Sequence, residues 1–175
     1  MGAWQRLSMV GNKAWETEIT KWIETDYPNL KSKGYEITSP DTIDYNCVAW
    51  AMSETDTWWW PNPESESYWP PNVPRQETLE AFIQAFATLG YQVCENSELE
   101  TDFQKIAIYG WKGKPTHVAR QLDDGKCTSK LGSNEDIIHH NLDGLEGEKY
   151  GQVTIVMKRQ IKNDRDLQDY RINRI

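Results

Sequence analysis

Cysteine is scarce and odd in number: Cys47, Cys94 and Cys127 are the three in 175 residues. Their wide spacing fits neither a disulfide framework nor a zinc knuckle, so reduced thiols are expected. No apolar run approaches the length of a membrane span. The opening MGAWQRLSMVGNKAW lacks an apolar signal core, which points to a cytoplasmic protein. Also missing are GxSxG, GxxxxGK[ST] and GxGxxG, and with them the serine elbow, the phosphate loop and the dinucleotide turn. No carboxylate pair has a setting that suggests glycosidase work. Positive charge is in deficit, with 19 Lys and Arg against 27 Asp and Glu, a net charge of -8 and a pI near 4.9. Such a surface repels phosphate backbones, so nucleic acid is not an expected partner. The exception is the end of the chain. From Lys158 to Ile175 six basic residues face three acidic ones, which makes 161–175 a basic tail on a single domain over 1–160.

Tryptophan, by contrast, is abundant, with 9 residues, in a chain that is 38% hydrophobic and 26% charged. Large rings supply burial from few positions, so this composition suits one folded domain with a proper core. Asn12 to about Glu24 predicts a helix, with Trp15, Ile19, Trp22 and Ile23 on one face, an Asn12 cap and a stop at Tyr27-Pro28. Residues 29–44 read as loop with a short strand near Gly34-Tyr-Glu-Ile37. A short helix follows from Asn46 to about Ser53. The stretch TWWWPNPESESYWPPNVP, residues 57–74, holds so much proline that regular structure is denied to it. Gln76 to Leu89 carries the apolar stripe Leu79, Phe82, Ile83, Phe86 and Leu89, and Gly90 closes that helix. Strands are expected at 91–94, 105–112, 116–131 as a hairpin about Asp124-Gly125, and 152–158. Helices first and an antiparallel sheet afterwards make an α+β fold.

The chemistry centres on DTIDYNCVAWAM. With Asn46 as cap, Cys47 is the first helical residue, where free N–H groups favour a thiolate and can hold an oxyanion. The alternative is that Cys47 is a small core side chain. A cysteine nucleophile wants a base, and His117 opens a hairpin strand; His139 and His140 read as a polar, solvated loop. A two-residue turn at Asp124-Gly125 sets His117 opposite Gly132, with Thr128, Lys130 and Asn134 on its face. Asn134 is then the orienting group, with Asp136 as the fallback. A three-residue loop shifts the register by one and brings Ser129 and Ser133 to that face instead. Lys130 is a candidate for a substrate carboxylate or an exposed strand charge. Trp58, Trp59, Trp60 and Trp69 either plug the core or wall a groove beside Cys47. Neighbours alternate along an extended chain, so at least one of the three consecutive Trp must be partly exposed or lie on another segment.

A cysteine at a helix start, a histidine at a later strand start and a polar residue on the next strand resemble the papain-like superfamily. The segment His117-Val118-Ala119 looks like the histidine strand of bacterial NlpC/P60 and CHAP amidases, and the element order agrees from about Tyr45 to Leu131. Those enzymes usually carry Asp before the cysteine and Ser-Gly after it, whereas here Asn46 precedes and Val48 follows. The resemblance implies a papain-like thiol hydrolase or acyltransferase acting on a peptide, isopeptide or side-chain amide, with no cofactor. Cys47, His117 and Asn134 or Asp136 would be catalytic, and Asn46 would sit near the oxyanion. YNCVAWAM, WWWP, YWPP and HVARQLDDG…TSKLG also resemble a bacterial domain family of unknown function, from about Tyr45 to Arg159. The rival expectation is a protein-binding module, such as an inhibitor, immunity or scaffold protein, that uses loop 57–74 as its contact surface.

Overall fold

Asn12 caps the first helix, its side-chain oxygen accepting from the N–H groups of Ala14 and Trp15 at 3.1 and 3.4 Å. A computed structural model describes residues 12–64 and 66–161; the basic tail beyond them lies outside the described residues. Helix α1 runs Lys13–Asp26, and after Tyr27 a short helix α2, Pro28–Lys33, begins with Pro28 at its first position. The sequence reading treated 29–34 as loop. Proline is as well suited to starting a helix as to ending one, because its missing N–H is unpaired there anyway.

Strand β1 is Tyr35–Ser39, helix α3 Cys47–Ala51 and helix α4 Leu79–Ala87. Between α3 and α4 the described residues of the proline-rich stretch form no helix or strand of their own; Trp59 and Tyr68 make one isolated bridge across it. The remaining strands are β2 Gln92–Cys94, β3 Phe103–Trp111, β4 Lys114–Gln121, β5 Cys127–Lys130, β6 Asp136–His139 and β7 Gln152–Gln160, with a 3-10 turn at Leu142–Leu145. They build one seven-stranded sheet in the order β1-β6-β5-β4-β3-β7-β2. Every pairing is antiparallel. The fold is therefore α+β, an open antiparallel sheet with few helices.

Helices cover both faces of that sheet. Ile106, Ile108, Val118 and Met157 pack with Val48, Trp50, Phe82 and Phe86 of α3 and α4. The residues between them, Ala107, Tyr109 and Ala119, join Ile23, Leu30, Cys127, Leu131 and Ile137 on the α1 and α2 side. Two covered faces explain why β3 and β4 are buried nearly end to end rather than at alternate positions. Phe82 and Phe86 are fully buried, and burial of each such ring contributes about 1.5–3 kcal/mol.

The β4–β5 connection decides what faces what. Leu122 N–H reaches the Lys126 carbonyl at 2.8 Å and Gly125 N–H the Leu122 carbonyl at 3.1 Å. Gly125 holds φ +85, which a glycine adopts without cost. This is a three-residue loop, with Arg120 opposite Thr128 and Gln121 opposite Cys127. The two-residue turn and its register are overturned: Asp124 folds its carboxylate back onto Lys126 N–H at 3.1 Å, lengthening the turn by one residue. Ser129 takes the place on the His117 face that the shorter turn gave to Thr128, Lys130 and Asn134.

Candidate functional site

Helix α3 is short, and the side chain of Asn46 fixes its start. The Asn46 side-chain oxygen accepts from Ala49 N–H and Trp59 N–H, both at 3.2 Å, while its amide donates to the Trp59 carbonyl at 2.7 Å. One of the two amide N–H groups thus ties α3 to the tryptophan loop. Trp50 holds the other end, donating to Thr128 Oγ1 at 2.9 Å and stacking on Tyr45. Cys47 is only 5% exposed. Its sulfur meets the backbone N–H groups of Val118, of Val48 and of Cys47 itself. Burial pushes the thiol up to about 11, against the pull of those N–H groups and of Lys130.

A pocket of about 310 Å³ opens in front of Cys47, lined by Asn46, Trp58, Trp60, Thr116, Gly132 and Tyr150. Of the three consecutive tryptophans, Trp58 and Trp60 wall it and stay partly exposed, while Trp59 turns into the core beside Tyr68. That is the alternation an extended chain imposes. Trp69 is also interior, packed on Phe82, with its indole N–H on the Pro74 carbonyl.

His117 is fully buried. It pairs across the strands with Tyr109 and so projects to the α1 and α2 side, whereas its neighbour Val118 packs with α3. His117 Nε2 lies 2.9 Å from Ser129 Oγ, the same oxygen lies 2.9 Å from His139 Nε2, and His139 Nδ1 lies 2.8 Å from the Asn141 carbonyl. Direction along this chain is forced. A carbonyl only accepts, so His139 Nδ1 carries a hydrogen. Burial holds His139 down at about 4, so the ring is neutral and its Nε2 accepts from Ser129. Ser129 then accepts from His117 Nε2–H. Burial, with His139 adding to it, also keeps His117 neutral and well below the ordinary histidine range. Its Nδ1 is therefore left with a lone pair, buried and without a hydrogen bond.

Neither ring nitrogen of His117 bonds to the Cys47 thiol. Tyr150 touches both surroundings: it stacks on His117 and lines the Cys47 pocket. Its hydroxyl bonds to that of Tyr27. Gly151 is what lets Tyr150 sit there: a Cβ on Gly151 would fall 2.0 Å from the Gly110 carbonyl.

The sequence-expected orienting groups lie elsewhere. Asp136 accepts from Ser39 Oγ and Tyr45 OH, each at 2.5 Å, and faces opposite Lys130 in the ladder. The Asn134 carbonyl receives Lys130 Nζ. Lys130 is fully buried with its ammonium over the Tyr45 ring, so it is not an exposed strand charge. The acceptor on His117 is Ser129. His139, read as a solvated loop residue, is a fully buried member of β6. The β-branched pair Ile137-Ile138 was the local hint of that strand, and the polar residues around it masked it; Tyr150 had no signal. Among the described residues no group of three His, Cys, Asp or Glu side chains comes together as a metal site. No described helix is long and apolar enough to cross a membrane.

Residues 36–158 match the family described as Domain of unknown function (DUF7689). The chain belongs to that family. No curated protein and no solved structure matches it. The DUF7689 segment contains Cys47, His117, Ser129, His139 and Tyr150, while α1 and α2 precede it.

Proposed function

We propose that this DUF7689 protein is a papain-like thiol hydrolase or acyltransferase acting on an amide or ester, in a reducing compartment such as the cytoplasm. The observation that carries the reading is the tautomer of His117. The chain from Asn141 through His139 and Ser129 keeps a hydrogen on Nε2 and leaves Nδ1 as a proton acceptor. The next residue, Val118, presents its N–H to the Cys47 sulfur. A general base needs such a fixed tautomer with one open nitrogen.

In this mechanism Cys47 attacks the substrate carbonyl as its thiol proton passes to His117 Nδ1. The sulfur–carbon bond forms and the carbonyl oxygen becomes an oxyanion. The N–H groups of Cys47 and Val48, with the second N–H of the Asn46 amide beside them, are the donors for it. Collapse breaks the carbon–nitrogen or carbon–oxygen bond, and His117 returns the proton to the leaving group. Water or an amine, deprotonated by His117, then attacks the thioester; the sulfur–carbon bond breaks, the acyl group leaves, and His117 returns the proton to the Cys47 sulfur. Because thiol and imidazole both rest neutral, proton transfer accompanies attack rather than preceding it. His117 projects to the α1 and α2 side while Cys47 packs with α3, so the ring and the sulfur meet only if the start of β4 and Tyr150 rearrange together.

The test is iodoacetamide labelling of native protein with peptide mapping, alongside Cys47→Ala. Cys47 should react faster than Cys94 and Cys127; labelling no faster than theirs removes the nucleophile.

A second reading rests on the buried, protonated thiol and on the partly exposed Trp58, Trp60 and Tyr68: a non-catalytic module that grips a peptide or protein through loop 57–74. Capture of a partner that is lost on Trp58→Ala with Trp60→Ala, yet kept by Cys47→Ala and His117→Ala, favours it.

A further inference from the structure

The polar atoms around the Cys47 pocket are almost all committed. Asn46 gives one amide N–H to Trp59 and its carbonyl to α3 and Trp59, keeping one neutral N–H over. Trp60 gives its indole N–H to Glu77 at 2.7 Å. Thr116 gives its hydroxyl to the Tyr150 carbonyl at 2.5 Å, and the Tyr150 hydroxyl is held by Tyr27. What remains on show is two indoles, a phenol ring, the open space at Gly132 and the thiol. Among the described residues no carboxylate, ammonium or guanidinium lines the cavity. Lys130 acts on Cys47 from behind, but its charge is answered by Asp136, Glu135 and Asp41.

From this we infer that the pocket takes a neutral acyl group with an aromatic or aliphatic body and rejects acyl groups bearing a carboxylate or an ammonium. The inference rests on the thiol-enzyme reading above and names its substrate class. A charge carried into this cavity leaves water and meets no partner there. A flat apolar group instead stacks on Trp58 and Trp60. Pockets for small ligands run from about 300 to 1,000 Å³, so this one, at about 310 Å³, has room for a single ring or its aliphatic equivalent. Indole faces also attract cations, so the ammonium-bearing acyl group is the sharper of the two charged controls.

The experiment alkylates the full native chain with three iodoacetamides that differ only in the N-substituent: benzyl, carboxyethyl and aminoethyl. Peptide mapping gives each rate at Cys47, divided by the rate of the same reagent at the partly exposed Cys94. The benzyl reagent should exceed both charged ones by about tenfold or more on that ratio, the scale on which an apolar pocket discriminates. Trp58→Arg, at a partly exposed position, should raise the carboxyethyl ratio and lower the benzyl one. Equal ratios, or a charged reagent in front, overturn the inference while leaving Cys47 a nucleophile. Cys47 reacting no faster than Cys94 with all three removes the enzyme reading and the substrate class together.

Discussion

Tyr150 lies flat on His117, with ring centroids 4.1 Å apart and planes 10° from parallel. Tyr109 meets the same imidazole edge-on at 5.4 Å. The histidine is thus enclosed by phenols, and that enclosure depresses its basicity.

Removing the stack tests this. Tyr150→Leu takes the ring off the imidazole and admits water. The His117 pKa should rise toward the ordinary value of 6.5, read from the pH dependence of its NMR signals. Alkylation of Cys47 should change at the same time, because Tyr150 also walls its pocket. An unmoved His117 titration would show that other groups account for its burial.

Ser129→Ala breaks the relay, leaving His117 Nε2–H without its acceptor and His139 Nε2 without its donor. Losing a buried partner costs about 1–3 kcal/mol, measurable as a lower urea midpoint. The more telling readout is the tautomer. Nitrogen-15 shifts should report His117 as a mixture in the variant and as the Nε2–H form in the parent.

Acid should unfold the protein through its buried histidines. Burial lowers the folded pKa values of His117 and His139, so the unfolded chain binds more protons below 6.5. Their stabilisation is complete above about 6.5 and is lost as pH falls through that value toward the folded pKa. For His139, held at about 4, the loss across that window is about 3 kcal/mol. Urea unfolding between pH 7.5 and 4.5 should show stability falling with pH, and His139→Gln should flatten the slope. A flat parent curve would contradict neutral burial of both rings.

Phe82 supports the pocket from below, touching Trp60, Trp69 and Phe86 at centroid distances of 5.4, 5.1 and 6.3 Å. Phe82→Ala should cost about 3–5 kcal/mol, measured by denaturant titration. It should also loosen Trp60, seen as a red shift in tryptophan emission.

Much of this was legible beforehand. Asn12 and Asn46 read as caps because their side chains have few better uses than a helix's free N–H groups. The Leu79, Phe82, Phe86 stripe has the helical period and nothing else to do. The hairpin about Gly125 was equally clear in its existence. Its register was not, since whether Asp124 folds onto Lys126 is a local choice of turn that two strands of polar residues do not dictate. That single residue moved the group on His117 from Asn134 to Ser129. His139 was hidden because β6 is short and lies between charged loops, and its burial depends on β1 arriving from far away in sequence. Tyr150 depends on Gly151 meeting Gly110, a contact no local pattern encodes.

The β4–β5 ladder stops at Arg120 and Thr128. Leu122 gives its N–H to Lys126 across the turn, so the even-numbered amides of β4 point toward β5, that of Val118 among them. One more rung of pairing would claim the Val118 amide for the Lys130 carbonyl and strip it from the Cys47 sulfur. Sheet growth and thiol chemistry compete for one hydrogen. A mutation that merely zips these strands tighter would take one N–H from the Cys47 sulfur while leaving Cys47 and His117 untouched.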